Sequence, residues 1–178
     1  VTSYLALLRG INVGGKKKVP MKELRDLVEG SGFEDVSTFL QSGNLLLKAG
    51  STGKEKLAAG LEASLKKTFG FDIAVMLRTQ ADLRRVLKGD PFGTKEADYG
   101  KVHVVFLEAP ASPSAVKKLD PDRSPPDEFV VKRDHIYMRF PNGSGRSKLT
   151  LDYFERLLGT RGTARNLRTV TKALELMS

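Results

Sequence analysis

Cysteine is absent from the 178 residues. Disulfides, thiolate metal sites and cysteine nucleophiles are thereby excluded. Histidine occurs twice, at His103 and His135, too few for a three-histidine metal site. No metal and no cofactor are expected. No apolar run approaches the roughly 20 residues that a membrane span needs. Arg9 interrupts the opening run "VTSYLALLRG" early, unlike the apolar core of a signal peptide. The expectation is a cytoplasmic protein with no membrane partner. Several motifs are missing as well. Neither glycine-rich stretch fits G-x-G-x-x-G or the P-loop pattern. The aromatic signature of RNA-reading ferredoxin-like domains is not found. No nucleophile elbow, metal constellation or acid–base pair is legible.

What is present is charge, unevenly placed. The net charge is +9, with 30 Lys+Arg against 21 Asp+Glu. Residues 9–25 hold six cations and one anion, and residues 146–172 hold seven cations and two anions. Each block is therefore +5, and the rest of the chain is close to neutral. Such concentration favours an anionic partner over mere solubility. Apolar residues make up 40% of the chain, enough for a packed fold.

Periodicity gives the element order. "YLALL" (4–8) reads as a buried strand, and "PMKELRDLVEGSG" (20–32) as a helix opened by Pro20. "VSTFLQ" (36–41) and "NLLLKA" (44–49) read as strands, with Ser42-Gly43 as a two-residue hairpin turn. A helix over 54–70 and a strand over 72–78 complete a β-α-β-β-α-β order, the ferredoxin-like pattern. Thr79 suits the cap of a helix over 80–90. After the loop "PFGTKEADYG" the order nearly repeats. Strand 101–108, short helix 112–120, a strand pair within 128–140 turning at Arg133-Asp134, and helix 149–159 follow. The last segment, 164–177, reads as a helix capped by Thr163. The predicted fold is therefore α+β, in two similar ferredoxin-like halves, 1–90 and 91–178. The second half is expected to end in a helix instead of a strand, with a cleft between the halves.

Four stretches carry candidate chemistry. The loop "RGINVGGKKKV" joins glycines, whose backbone N–H groups can approach an anion, to three lysines and a helix start. "PNGSGRSKLT" (141–150) is a second basic loop. "QSGN" (41–44) is a polar hairpin tip. "TRGTARNLRT" places Arg165 and Arg168 at the expected helix start, where cations are unfavourable by about 0.3–1 kcal/mol each. A bound anion offsets that, and so does a salt bridge to Asp152 or Glu155. Solvated turns account for either loop taken alone. His135, Tyr137 and Arg139 alternate with Ile136, Met138 and Phe140, so they share the strand face turned from the core. That face is commonly a sheet's solvated exterior, with a proton-transfer or stacking role as the alternative.

"YLALLRGINVGGKKKVPMKELRDL", "FLQSGNLL", "GRSKLT" and "TARNLRTVTKALEL", taken in order, make the chain resemble domain-of-unknown-function family 1697, a bacterial family of small α+β proteins. The resemblance spans essentially the whole chain and implies a duplicated ferredoxin-like fold. It brings no activity. The family pattern favours an aromatic near Leu167, where this chain departs. The matching positions fall on the loops already singled out: Arg9, Gly10, Asn12, Gly14, Gly15, Gln41, Ser42, Asn44, Ser147, Lys148, Arg165 and Asn166. Polar residues recurring in loops point to a site more than to packing.

The leading expectation is binding of a phosphate-bearing ligand, a nucleic acid or a nucleotide, in a basic cleft. Arg9 and Arg165 would clamp phosphate oxygens, with Lys16 and Lys148 adding charge. Gly14 and Gly15 would offer N–H groups, while Asn12, Gln41, Ser42, Asn44, Ser147 and Asn166 would orient the ligand. An enzyme acting on a phosphorylated small molecule, using His135 or Ser147, is the alternative. So is a protein-interaction module whose basic loops are structural.

Overall fold

In the computed structural model, which describes residues 1–40 and 43–178, residues 4–8 are buried without a break. A strand hidden on both faces needs neighbours on both edges and layers above and below. This strand, β1 (Thr2–Leu8), is central. It pairs antiparallel with β3 (Asn44–Ala49) on one side and β4 (Val75–Thr79) on the other. With the edge strand β2 (Glu34–Thr38), the sheet order is β2-β3-β1-β4. Helices α1 (Met21–Gly30) and α2 (Lys54–Phe69) supply the β-α-β-β-α-β order. The chain divides into two compact units, Val1–Arg84 with Ala173–Ser178, and Arg85–Lys172.

In the first unit, Tyr4, Ala6 and Leu8 of β1 share one face with Leu45, Leu47, Val75 and Leu77. Leu24 and Val28 of α1 and Leu61 and Leu65 of α2 belong to the same core. Each fully buried leucine contributes about 1.5–3 kcal/mol over exposure. On the opposite face Leu5, Leu7, Leu46 and Met76 are buried too. Gly70 ends α2 in the left-handed conformation, which glycine adopts at little steric cost. Thr79 caps α3 (Gln80–Lys88) in a reciprocal arrangement. Its Oγ1 accepts the Asp82 N–H at 3.1 Å, and the Asp82 carboxylate accepts the Thr79 N–H at 2.8 Å.

The second unit repeats the topology. Its strands are β5 (Val102–Leu107), β6 (Glu128–Lys132), β7 (His135–Arg139) and β8 (Gly162–Asn166), in the order β6-β7-β5-β8. All pair antiparallel. Helices α4 (Pro113–Val116) and α5 (Leu151–Leu158) pack against Val105, Leu107, Ile136 and Met138. The duplication extends to single hydrogen bonds. Leu8 and Arg9 donate their N–H groups to the carbonyls of Gly43 and Ala74, and Leu107 and Glu108 donate to those of Asp134 and Arg161.

Two expectations are corrected. The second half does not replace its sixth strand with a helix. β8 pairs with β5 from Gly162–Leu107 to Asn166–His103, and the last helix, α6, runs Leu167–Met177. "GTARN" is short and not apolar, and it runs directly into a strongly periodic helix, so the helical pattern masked it. The strand expected over 36–41 also lies elsewhere, since β2 spans Glu34–Thr38. Thr38 pairs with Leu45, and the two-residue turn expected at Ser42-Gly43 falls partly outside the described residues. The strand carries a register shift between Glu34 and Ser37, with Asp35 at φ 49°.

Candidate functional site

The basic loop leaves the end of β1 and is a built structure. Asn12, at φ 56°, spends both ends of its side-chain amide on one residue. Its Nδ2 donates to the Val19 carbonyl at 2.9 Å, and its Oδ1 accepts the Val19 N–H at 2.8 Å. The Asn12 N–H also donates to the Lys17 carbonyl at 3.1 Å, and the Lys16 N–H to the Val13 carbonyl at 3.0 Å. Gly14 and Gly15, at φ 60° and 73°, form the two central positions of that last turn. Positive φ at both defines the tight type that favours Gly-Gly. Asn12 is thus the clasp of the loop, and the glycines are its tip.

Val19 and Ile11, each 1% exposed, bury the two legs of the loop in the first core. The residues between them are exposed. Lys17 reaches the Asp72 carbonyl at 3.1 Å. Among the described residues, Lys16 and Lys18 have no carboxylate within ion-pair reach. The root of the loop touches the hairpin link. A Cβ on Gly43 would meet Leu8 and Ile11 atoms at 3.0 Å, so only glycine lets the two segments approach. Asn44 is 2% exposed and donates to the Phe39 carbonyl at 3.4 Å. Arg9, Asn12, Gly14, Gly15, Lys16 and Asn44 therefore stand together at one end of the first sheet. Gln41 and Ser42 lie outside the described residues.

The remaining candidates belong to the second unit. The Ser147 hydroxyl accepts the Leu149 N–H at 3.1 Å and donates to Ser124 Oγ at 3.4 Å. Ser124 also accepts the Lys148 N–H at 3.0 Å. Arg123 donates to the Lys148 carbonyl at 2.9 Å while its guanidinium lies 3.9 Å over the Tyr153 ring. These bonds stitch the loop 141–150 to residues 123–124. The Lys148 side chain stays exposed. Nothing in the motif reading singled out Arg123 or Ser124, because the "PDRSPPDEF" segment carries no periodic pattern.

Arg165 is a strand residue, opposite Val104, and not part of a helix start. Its guanidinium donates to Thr163 Oγ1 at 2.7 Å and to the Ala164 carbonyl at 2.8 Å. Burial lowers its pKa to about 10. Thr163 is 3% exposed and does not cap α6. The cap is Asn166, whose Oδ1 accepts the Thr169 N–H at 2.9 Å, the usual Asn N-cap bond.

The His-Tyr stripe is not a solvated exterior. His135 is 7% exposed and Tyr137 fully buried. His135 Nδ1 lies 2.9 Å from the Asp134 carboxylate and Nε2 lies 3.1 Å from Tyr137 Oη. Tyr137 donates to the Val86 carbonyl at 2.7 Å. With the tyrosine proton committed there, Nε2 donates to Oη. Burial, with the charges of Asp90 and Asp134, pushes the Tyr137 phenol up to about 12. Among the described residues, no group of three or more histidines and carboxylates converges as a metal site. Nor is any helix long and apolar enough to cross a membrane.

Comparison with known proteins agrees with the fold. The family model described as "Protein of unknown function (DUF1697)" matches residues 1–137. A solved structure of a conserved bacterial protein from Streptococcus pneumoniae is 26% identical, with 99% of each chain covered and a TM-score of 0.73. The chain matches no curated protein.

Proposed function

The chain belongs to the DUF1697 family, and we propose that it binds a phosphate-bearing ligand, a nucleic-acid backbone ahead of a free nucleotide, through the basic loop at residues 9–18. The observation that carries this reading is the clasp between Asn12 and Val19. It fixes a protruding turn whose tip is Gly14-Gly15 and whose flanks are exposed lysines. A loop that were only a linker would not need two side-chain hydrogen bonds and two left-handed glycines to hold its shape. Fixing the turn before binding lowers the ordering cost of the encounter.

Lysine meets phosphate as a compact point charge. Several such charges along one exposed turn match a run of phosphates better than a single one. Lys16, Lys17 and Lys18 would take backbone phosphates, with Arg9 at the root of the loop. Asn12, Ser147 and Asn166 support the reading as residues that shape their loops, since their side chains are bonded to backbone.

Fluorescence anisotropy of a labelled single-stranded RNA across a salt series tests it. The wild type should lose affinity steeply with salt. The Lys16→Gln/Lys18→Gln double variant should bind more weakly, with a salt slope shallower by about one per lysine. No binding at low salt, or an unchanged slope in the variant, rejects the reading.

A further inference from the structure

The second unit holds a pocket of about 420 Å³, walled by residues 92–95, Asp98, Lys101, Val102, Arg139 and Pro141. It lies where β5 begins and β7 ends. Asp90 builds one wall, its carboxylate accepting the N–H groups of Phe92 at 3.0 Å and Thr94 at 2.8 Å. The 3-10 turn Glu96–Lys101 builds another. The floor is apolar, from Phe92, Val102 and Pro141, and the walls carry three cations against one carboxylate.

Two polar atoms in these walls are buried without a hydrogen-bond partner, Thr94 Oγ1 and Arg139 Nε. One other atom among the described residues, Thr171 Oγ1, shares that condition. A buried polar atom left unpaired is costly, and native folds keep few of them. Finding two in the walls of one cavity is the signature of a wall shaped for something besides stability. The cations are only partly neutralised. Lys101 pairs with Asp98 at 3.3 Å and Arg139 with Glu128 at 3.2 Å, both in partly exposed geometry. Lys95 has no carboxylate within ion-pair reach among the described residues. The Arg139 guanidinium stands 5.6 Å from the Phe92 ring centre.

We infer that this pocket binds a small aromatic anion, its phosphate or carboxylate held by Arg139 with Lys95 and Lys101, and its ring laid against Phe92, Val102 and Pro141. The volume suits a ligand of that size. A flat ring seated on Phe92 beside a guanidinium gains both stacking and cation–π contact. This site is separate from the loop at residues 9–18 and does not rest on that reading.

The test is an amide NMR titration of the full chain with phenyl phosphate, benzoate and neutral benzyl alcohol. The amides of Phe92, Thr94, Lys101 and Val102 should shift and saturate with an anionic probe. Whichever anion binds more tightly identifies the ligand class. Benzyl alcohol should bind at least about tenfold more weakly. Arg139→Gln should weaken the anion by about tenfold, and Lys101→Gln serves where Arg139→Gln does not fold. Thr94→Val should weaken it with the fold intact. No saturable shift at these amides up to about 10 mM, or equal binding of benzyl alcohol, overturns the inference. The same spectra report the amides of residues 12–18 separately, so failure of the pocket and failure of the loop are distinguishable.

Discussion

Asn12 and Val19, seven residues apart, are joined by two hydrogen bonds through one side-chain amide. Asparagine is the residue that fits. It tolerates φ 56°, and it offers a donor and an acceptor on one planar group. Asn12→Ala should cost about 2–3 kcal/mol, from two lost hydrogen bonds and a strained alanine. Asn12→Asp keeps the acceptor alone and should fall between. Urea unfolding midpoints check the order wild type, Asp, Ala. Both variants should also lose affinity for the labelled RNA in proportion.

Asp82 makes stability depend on pH. Burial pushes its carboxyl up, but the Lys54 ammonium and the Thr79 hydrogen bonds outweigh burial and leave it below its ordinary value of 3.8. A carboxyl lowered by folding contributes stability above its unfolded pKa and loses it as pH falls through the folded value. Asp82→Asn should cost about 1–2 kcal/mol near neutral pH, from a cap and a half-buried ion pair. The difference from wild type should shrink as pH falls toward about 2. A pH series of chemical denaturation reads this directly, and a constant difference would contradict the pairing.

His103 acts with the opposite group type. Burial lowers it from its ordinary 6.5, against a raising contribution from the Gly100 backbone. Its ring stands edge-on to Phe140, with ring centres 5.1 Å apart. A histidine held neutral by folding favours the unfolded state once protons are abundant. The native state should therefore lose stability as pH drops through about 6.5. His103→Phe should flatten that part of the profile, and thermal melts across the range measure it.

Tyr137→Phe removes one oxygen and leaves two groups short. The Val86 carbonyl and His135 Nε2 both lose a partner in a buried place. The expected cost is about 1–3 kcal/mol. Gly89 is coupled to the same hydroxyl, because a Cβ there would come within 2.8 Å of it. Gly89→Ala should be destabilising in the wild type and milder in the Tyr137→Phe background, a double-mutant cycle with a measurable coupling.

Thr94→Val inverts the usual sign. The hydroxyl is buried and unpaired, and a methyl group of the same shape carries no desolvation cost. The variant should be at least as stable as the wild type in a thermal melt. Loss of stability would show that the hydroxyl has a partner after all.

The doubled α+β order was legible because apolar spacing and turn residues act locally. "YLALL" is buried as expected, and the helix expected over 54–70 sends Leu57, Leu61 and Leu65 to the core. β8 was hidden because strand pairing is a long-range event and "GTARN" carries no apolar alternation. That error moved Arg165 from a strand to a helix start. The loops at 9–18 and 141–150 were conspicuous by charge, yet composition does not say which polar side chains bind backbone. Asn12, Ser147 and Asn166 do so through partners two to seven residues away. The pocket beside Arg139 had no sequence signal, since its walls come from segments that nothing in the pattern links.

Whether the loop at residues 9–18 meets phosphates is read by an amide NMR titration with a short single-stranded oligonucleotide. Saturable shifts should concentrate at Val13, Gly14, Gly15 and Lys16 and shrink as salt rises. Shifts confined to other residues, or none at low salt, would contradict that contact.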